Sequence, residues 1–166
     1  MSTPEERDLN TLRKLSSNKK CVNCDTVAKF GHSHICEKYH TFVCSLCKSA
    51  HQSFSMRVKS ITMSNWTKAQ VDELRDENGG GNDAGREKWL HHWTPSNRKP
   101  TKDDKLDDFK RFVEKVYIKK AFYKENDDNE KVKQVKKKKK DAGSPPKERK
   151  STKTTTGTTG SCNVQC

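Results

Sequence analysis

A chain of 166 residues with 29% hydrophobic and 34% charged side chains cannot spread one core over its whole length. All twelve aromatics lie between Phe30 and Tyr123, and beyond Tyr123 few apolar side chains remain. The net charge of +13 is equally uneven: residues 131–153 hold eleven Lys or Arg against Asp141 and Glu148, contributing +9 and leaving +4 elsewhere.

These numbers predict a folded domain over residues 5–123 and a disordered lysine-rich tail over 124–166, because the tail cannot bury enough surface to offset its ordering entropy. No run of about 18 apolar residues is present, which excludes a membrane-spanning helix. The first residues, Met1 to Glu6, are polar and acidic, unlike a secretory signal. The seven cysteines are therefore expected in a reducing compartment, cytoplasmic or nuclear, where paired CxxC spacing points to metal.

In chain order, Thr3 is the expected cap of a first helix, with Pro4 at its first position and Glu5 and Glu6 at the positive dipole end. Leu9, Leu12 and Leu15 form its apolar stripe, and Ser16-Ser17-Asn18 ends it. Thr41-Phe42-Val43 reads as a short strand, and the alternation over Arg57–Thr62 as another. Thr67 and Gln70 fit a capping box opening a helix through Val71 and Leu74, which Gly79-Gly80-Gly81 stops. Asn82 is the expected cap of the next helix, carrying Trp89, Leu90 and Trp93. Thr101 is the expected cap of the last, with Leu106, Phe109, Phe112, Val113, Val116 and Tyr117 on one stripe.

The strongest chemical signal is Cys21-Val22-Asn23-Cys24, nineteen residues, then Cys44-Ser45-Leu46-Cys47. Two CxxC turns supply four sulfurs for one tetrahedral Zn2+ and leave no open position for a catalytic water, so the expected role is structural. The insert also carries His32, His34, Cys36 and His40, which are ligand types and leave a second metal or a ligand swap as an alternative to plain loop residues. His51 is a further competing donor.

The run from Thr41 to Met63, with its CxxC finger, small residue, histidine and Val58-Lys59-Ser60 strand, resembles the Arf GTPase-activating protein (ArfGAP) domain. Trp66-Thr67, Val71 with Leu74, the glycine-rich junction at Asn82, and Arg111-Phe112-Val113 followed by Val116-Tyr117 and Lys120 are similar to its later motifs. The likeness is nearest to the branch related to the FG-repeat-containing ArfGAPs and covers roughly residues 9–123. It implies an α+β fold, in which a small antiparallel sheet organised by a zinc finger is flanked by several helices. It also implies an Arf-family small GTPase as partner and a critical arginine five positions after the last zinc cysteine.

In this sequence that position is Gln52. An arginine finger sets a planar cation against charge developing on the transferred phosphoryl group, and a glutamine brings none. The expectation is thus a domain that engages an Arf-family GTPase with weak or lost activation, a regulator rather than an enzyme. Arg57 is the candidate substitute cation, which would leave an active Arf GTPase-activating protein as the alternative. The insert between the cysteine pairs is also longer than the family's usual one.

The lysine-rich stretch over residues 131–150 suits attraction to an anionic membrane surface, nuclear import or plain solubility. No aromatics interleave its lysines and the rest of the chain is nearly balanced, which disfavours a nuclear zinc-finger protein binding nucleic acid.

Overall fold

A computed structural model describes residues 2–125, so the lysine-rich tail beyond Glu125 lies outside the described residues. Three strands form one antiparallel sheet: β1 (His34–Cys36), β2 (Thr41–Val43) and β3 (Val58–Ser60), in the order β2-β1-β3. Ile35 pairs with Phe42 on one side and Lys59 on the other, while Cys36 pairs with Thr41 and Val58. Alternation along these short strands sends side chains to two different cores.

One core joins Ile35, Phe42 and Ile61 to Leu9, Leu12, Val71 and Leu74, with Trp66 against it. These come from α1 (Pro4–Leu12) and α4 (Lys68–Asp72) with its following turn. Both helices open on capping boxes: the expected one of Thr67 with Gln70, and one at the expected cap Thr3, which Glu6 completes. Each box satisfies two orphan amides locally, which is why it forms as the short-range sequence dictates.

The other core gathers the zinc cysteines, Cys36, Val43 and Met56 against Phe109, Phe112, Val113, Val116 and Tyr117. It lies between α3 (Ser45–Gln52) and α6 (Leu106–Val113), which continues as a wider π-helical turn over Glu114–Ile118. That turn closes with Lys119 N–H donating to Glu114 O at 2.9 Å and keeps Val116 and Tyr117 buried.

Several boundaries differ from the sequence reading. α1 stops at Leu12, and Ser16–Lys19 forms a separate short α2, so Leu15 leaves the stripe and stands exposed. α4 ends at Asp72, before the glycines, and a single 3-10 turn (Asp76–Asn78) intervenes. α5 (Gly81–Trp89) is capped by Gly80, not Asn82. Thr101 caps nothing helical: its amide and hydroxyl both donate to Asp104 Oδ2, at 2.7 and 3.0 Å, and α6 begins later with Lys105 as cap. The insert between the cysteine pairs is not merely a loop, because it holds the central strand.

Asn82 has a larger task than a cap. Fully buried, it accepts from Phe42 N–H at 2.7 Å and donates to Phe42 O at 3.0 Å and Lys20 O at 2.8 Å. Its own N–H donates to Asn18 Oδ1 at 2.8 Å, and Asn18 in turn donates to Leu12 O at 3.0 Å. One amide thus fastens α5 to β2 and to the entry of the zinc loop. Asn82→Ala strands the Phe42 N–H in a dry place, at a cost of about 1–3 kcal/mol, while Phe42 O keeps Val22 N–H and Lys20 O keeps Arg86. We expect the variant to lose about 2 kcal/mol in urea unfolding with zinc present, whereas exposed Asp83→Ala loses little. Equal midpoints for the two variants would contradict this role.

Candidate metal centre and the turn beside it

The sulfurs of Cys21, Cys24, Cys44 and Cys47 all lie within 4.8 Å of one another. Cys24 Sγ and Cys44 Sγ are 3.5 Å apart. With Zn–S bonds of about 2.3 Å, a tetrahedron has edges of about 3.8 Å, so the donor set fits zinc in spacing and in chemistry. The backbone prepares the sulfurs. Cys44 N–H donates to Cys21 Sγ and Cys47 N–H to Cys44 Sγ, each at 3.4 Å. Cys44 is also the N-cap of α3, where the dipole favours negative charge.

Without a cation the four sulfurs cannot all ionise together: hydrogen bonding with Cys21 holds the Cys24 and Cys44 thiols down, at the expense of the other two. Burial pushes the Cys21 thiol well above its ordinary range, and the adjacent sulfurs, Cys21 first, push Cys47 upward. A divalent ion removes that conflict by taking four thiolates as ligands. All four positions come from protein, so the ion's contribution is to hold two loops together.

The other ligand-type residues stand apart from this cluster. His32 Nε2 bonds Thr26 O at 2.9 Å and closes the base of the loop after the first cysteine pair. His34 lies half-buried on β1, and burial moves its pKa down. His40 lies 3.6 Å from Glu73. Cys36 is buried beside His51, 3.8 Å from its Nδ1. The described residues therefore hold one four-cysteine cluster.

A polar chain runs through this core. Tyr117 O–H donates to Asn23 Oδ1 at 2.8 Å, and Asn23 Nδ2 contacts His51 Nε2 at 2.9 Å. With Nε2 accepting, the imidazole proton sits on Nδ1, which points at Met56 Sδ at 3.1 Å. Burial drives the His51 pKa down to about 4, so the ring is neutral near pH 7. These residues pin the first CxxC turn and the last turn of α3 to the π-helical segment. Sequence reading placed Tyr117 on the apolar stripe and missed its bond to Asn23, because partners 94 positions apart share no local signal.

Gln52 is the last residue of α3. Cys47, Ala50 and His51 face inward, and Gln52 is exposed. The helix that begins at a zinc ligand therefore presents an uncharged amide at its other end. Arg57 lies past the turn over residues 53–56, where Ser55 has a φ of 57°. Its side chain is 75% exposed and pairs with Glu37 at 3.3 Å. No hydrogen bond joins Gln52 to Arg57 among the described residues.

Known proteins share this fold. Residues 6–126 match the ArfGap family, described as "Putative GTPase activating protein for Arf". The Arabidopsis thaliana protein named "Probable ADP-ribosylation factor GTPase-activating protein AGD14" is 32% identical over 122 residues, 74% of this chain. The chain spans only 18% of that relative's length. The ArfGap domain of human RIP superposes with a TM-score of 0.65 at 25% identity, covering 76% of this chain and 92% of that one. The ArfGap domain of HIV-1 Rev binding protein gives 0.63 at 24% identity, covering 73% and 88%. With its four-cysteine zinc site and small antiparallel sheet, this chain belongs to the ArfGap family.

Proposed function

We propose that the domain engages an Arf-family small GTPase through the face carrying the end of α3, and that it accelerates GTP hydrolysis only weakly. The observation that carries this is Gln52. It stands exposed at the end of the zinc-anchored helix, where the family resemblance puts an arginine. An amide offers hydrogen bonds but no charge to the transferred phosphoryl oxygens, and a finger arginine is worth about 10³–10⁵ in rate. On this reading the domain holds its partner without supplying the cation.

Single-turnover phosphate release from a GTP-loaded Arf-family GTPase, with the purified full chain, tests this. We expect saturable binding to the GTP form with acceleration at least about a hundredfold below that of an arginine-bearing family member. Acceleration matching that member would overturn the weak-activator reading. Arg57→Ala then reports whether Arg57 supplies the charge, a role that its pairing with Glu37 opposes. The lysine-rich stretch over residues 131–150 we assign to attraction toward anionic cytoplasmic lipid, a role that would suit a cytoplasmic protein beside a membrane surface.

A further inference from the structure

Outside the zinc site and the Gln52 turn, one surface gathers features that the GTPase reading does not use. The loop following the first cysteine pair runs back along the segment joining α1 to the zinc site. Ala28 N–H donates to Lys19 O at 2.9 Å, and Lys20 forms an antiparallel bridge with Val27. Gly31, at φ 80°, sits so close to the Arg13 backbone that any side chain there would collide with it. Gly31 N–H also closes a turn onto Ala28 O at 3.0 Å. With the bond from His32 to Thr26 at its base, the loop is held firmly.

This pinned turn exposes apolar side chains. Val27 is 68% and Phe30 65% exposed, and Leu15, on the adjoining segment, is 40% exposed. Around them are Arg13, Lys14, Lys19, Lys20 and Lys29, with Asp25 the one acidic residue between positions 13 and 31. Five cations against one anion give +4, the same as the whole net charge of residues 1–130. The remainder of that region is balanced. Lys14, Lys19 and Lys29 have no carboxylate within ion-pair distance among the described residues. Asp25 is held by Lys20 and Lys99, and Asp83 of the adjoining α5 by Arg86. Lys29 Nζ stands over the Phe30 ring, 5.4 Å from its centroid.

We propose that the Val27–Phe30 turn and its lysine surround form a docking patch for an anionic lipid surface. Apolar side chains on the tip of a fixed turn suit shallow entry at headgroup depth, and unpaired lysines beside them suit lipid phosphates and carboxylates. The charge excess selects this occupant over a protein partner, whose interface core would be depleted of lysine. The proposal is independent of the nucleotide reading: a failure here leaves the role of Gln52 untouched.

Co-sedimentation of the full chain with vesicles of three parts phosphatidylcholine to one part phosphatidylserine tests the patch. The same variants are repeated in a chain with Lys136 to Lys140 changed to glutamine, which separates patch from tail. Val27→Ser with Phe30→Ser is expected to weaken partitioning about tenfold, and Lys19→Gln with Lys29→Gln about fivefold per lysine. Zinc content and urea midpoint should stay unchanged, since these side chains are largely outside the core. If the serine variant loses zinc, the lysine pair decides. Unaltered partitioning by both pairs, equal binding to pure phosphatidylcholine, or binding that vanishes entirely with the tail lysines would overturn the proposal. A vesicle-free dimer that dissociates on Phe30→Ser would instead assign the patch to a second copy of the chain.

Discussion

Removing zinc is expected to unfold the second core and, with it, the domain. The region between Lys20 and Ser60 contains three strands of three residues each, too short to stand alone. The two CxxC turns are joined across the core through the sulfurs, and α3 starts on one of them. Structural zinc contributes on the order of 10 kcal/mol, against a total domain stability of about 5–15 kcal/mol. Taking the ion away therefore exhausts most of the margin. Chelator titration should abolish the far-ultraviolet helical signal and shift the fluorescence of Trp89 and Trp93, which pack against this core. Readdition of zinc should restore both, at one ion per chain by native mass spectrometry. Cys47→Ser, whose sulfur is buried, should behave like the chelated protein. A chelated protein with an unchanged urea midpoint would show that packing alone carries the fold.

The features legible in the sequence were the ones written in short-range chemistry. The cap Thr3 and the capping pair Thr67 with Gln70 act within three residues, and both form. The four zinc cysteines declare themselves by spacing, and the stripe from Phe109 to Tyr117 by period. What stayed hidden depends on partners far away. His34–Cys36 has no visible period, and it is a strand because β2 and β3 flank it on both edges. Local preference makes Asn82 a cap, but bonds to Phe42, Lys20 and Asn18 outweigh it. Leu15 continues a sequence stripe that the helix, ending at Leu12, does not follow.

Placing a charge at position 52 should convert the domain into a strong activator. Gln52→Arg adds a planar cation at the end of a helix whose other end is fixed by zinc and whose inward face is locked by His51 and Asn23. Because Gln52 is exposed, the change should leave zinc content and unfolding midpoint where they were. The rate of GTP hydrolysis on a bound Arf-family GTPase should rise by about 10³-fold or more, as the charge meets the transferred phosphoryl oxygens. Gln52→Lys should recover less, since a compact ammonium on a flexible stem lacks the bidentate fork. Affinity for the GTP-bound partner should change far less than rate, because the finger acts chiefly in the transition state. A variant that still binds the GTPase yet gains no rate would mean that α3 does not aim position 52 at the nucleotide. A gain in rate with Gln52→Arg but none with Gln52→Ala would show that charge, and not mere removal of the amide, was what this surface lacked.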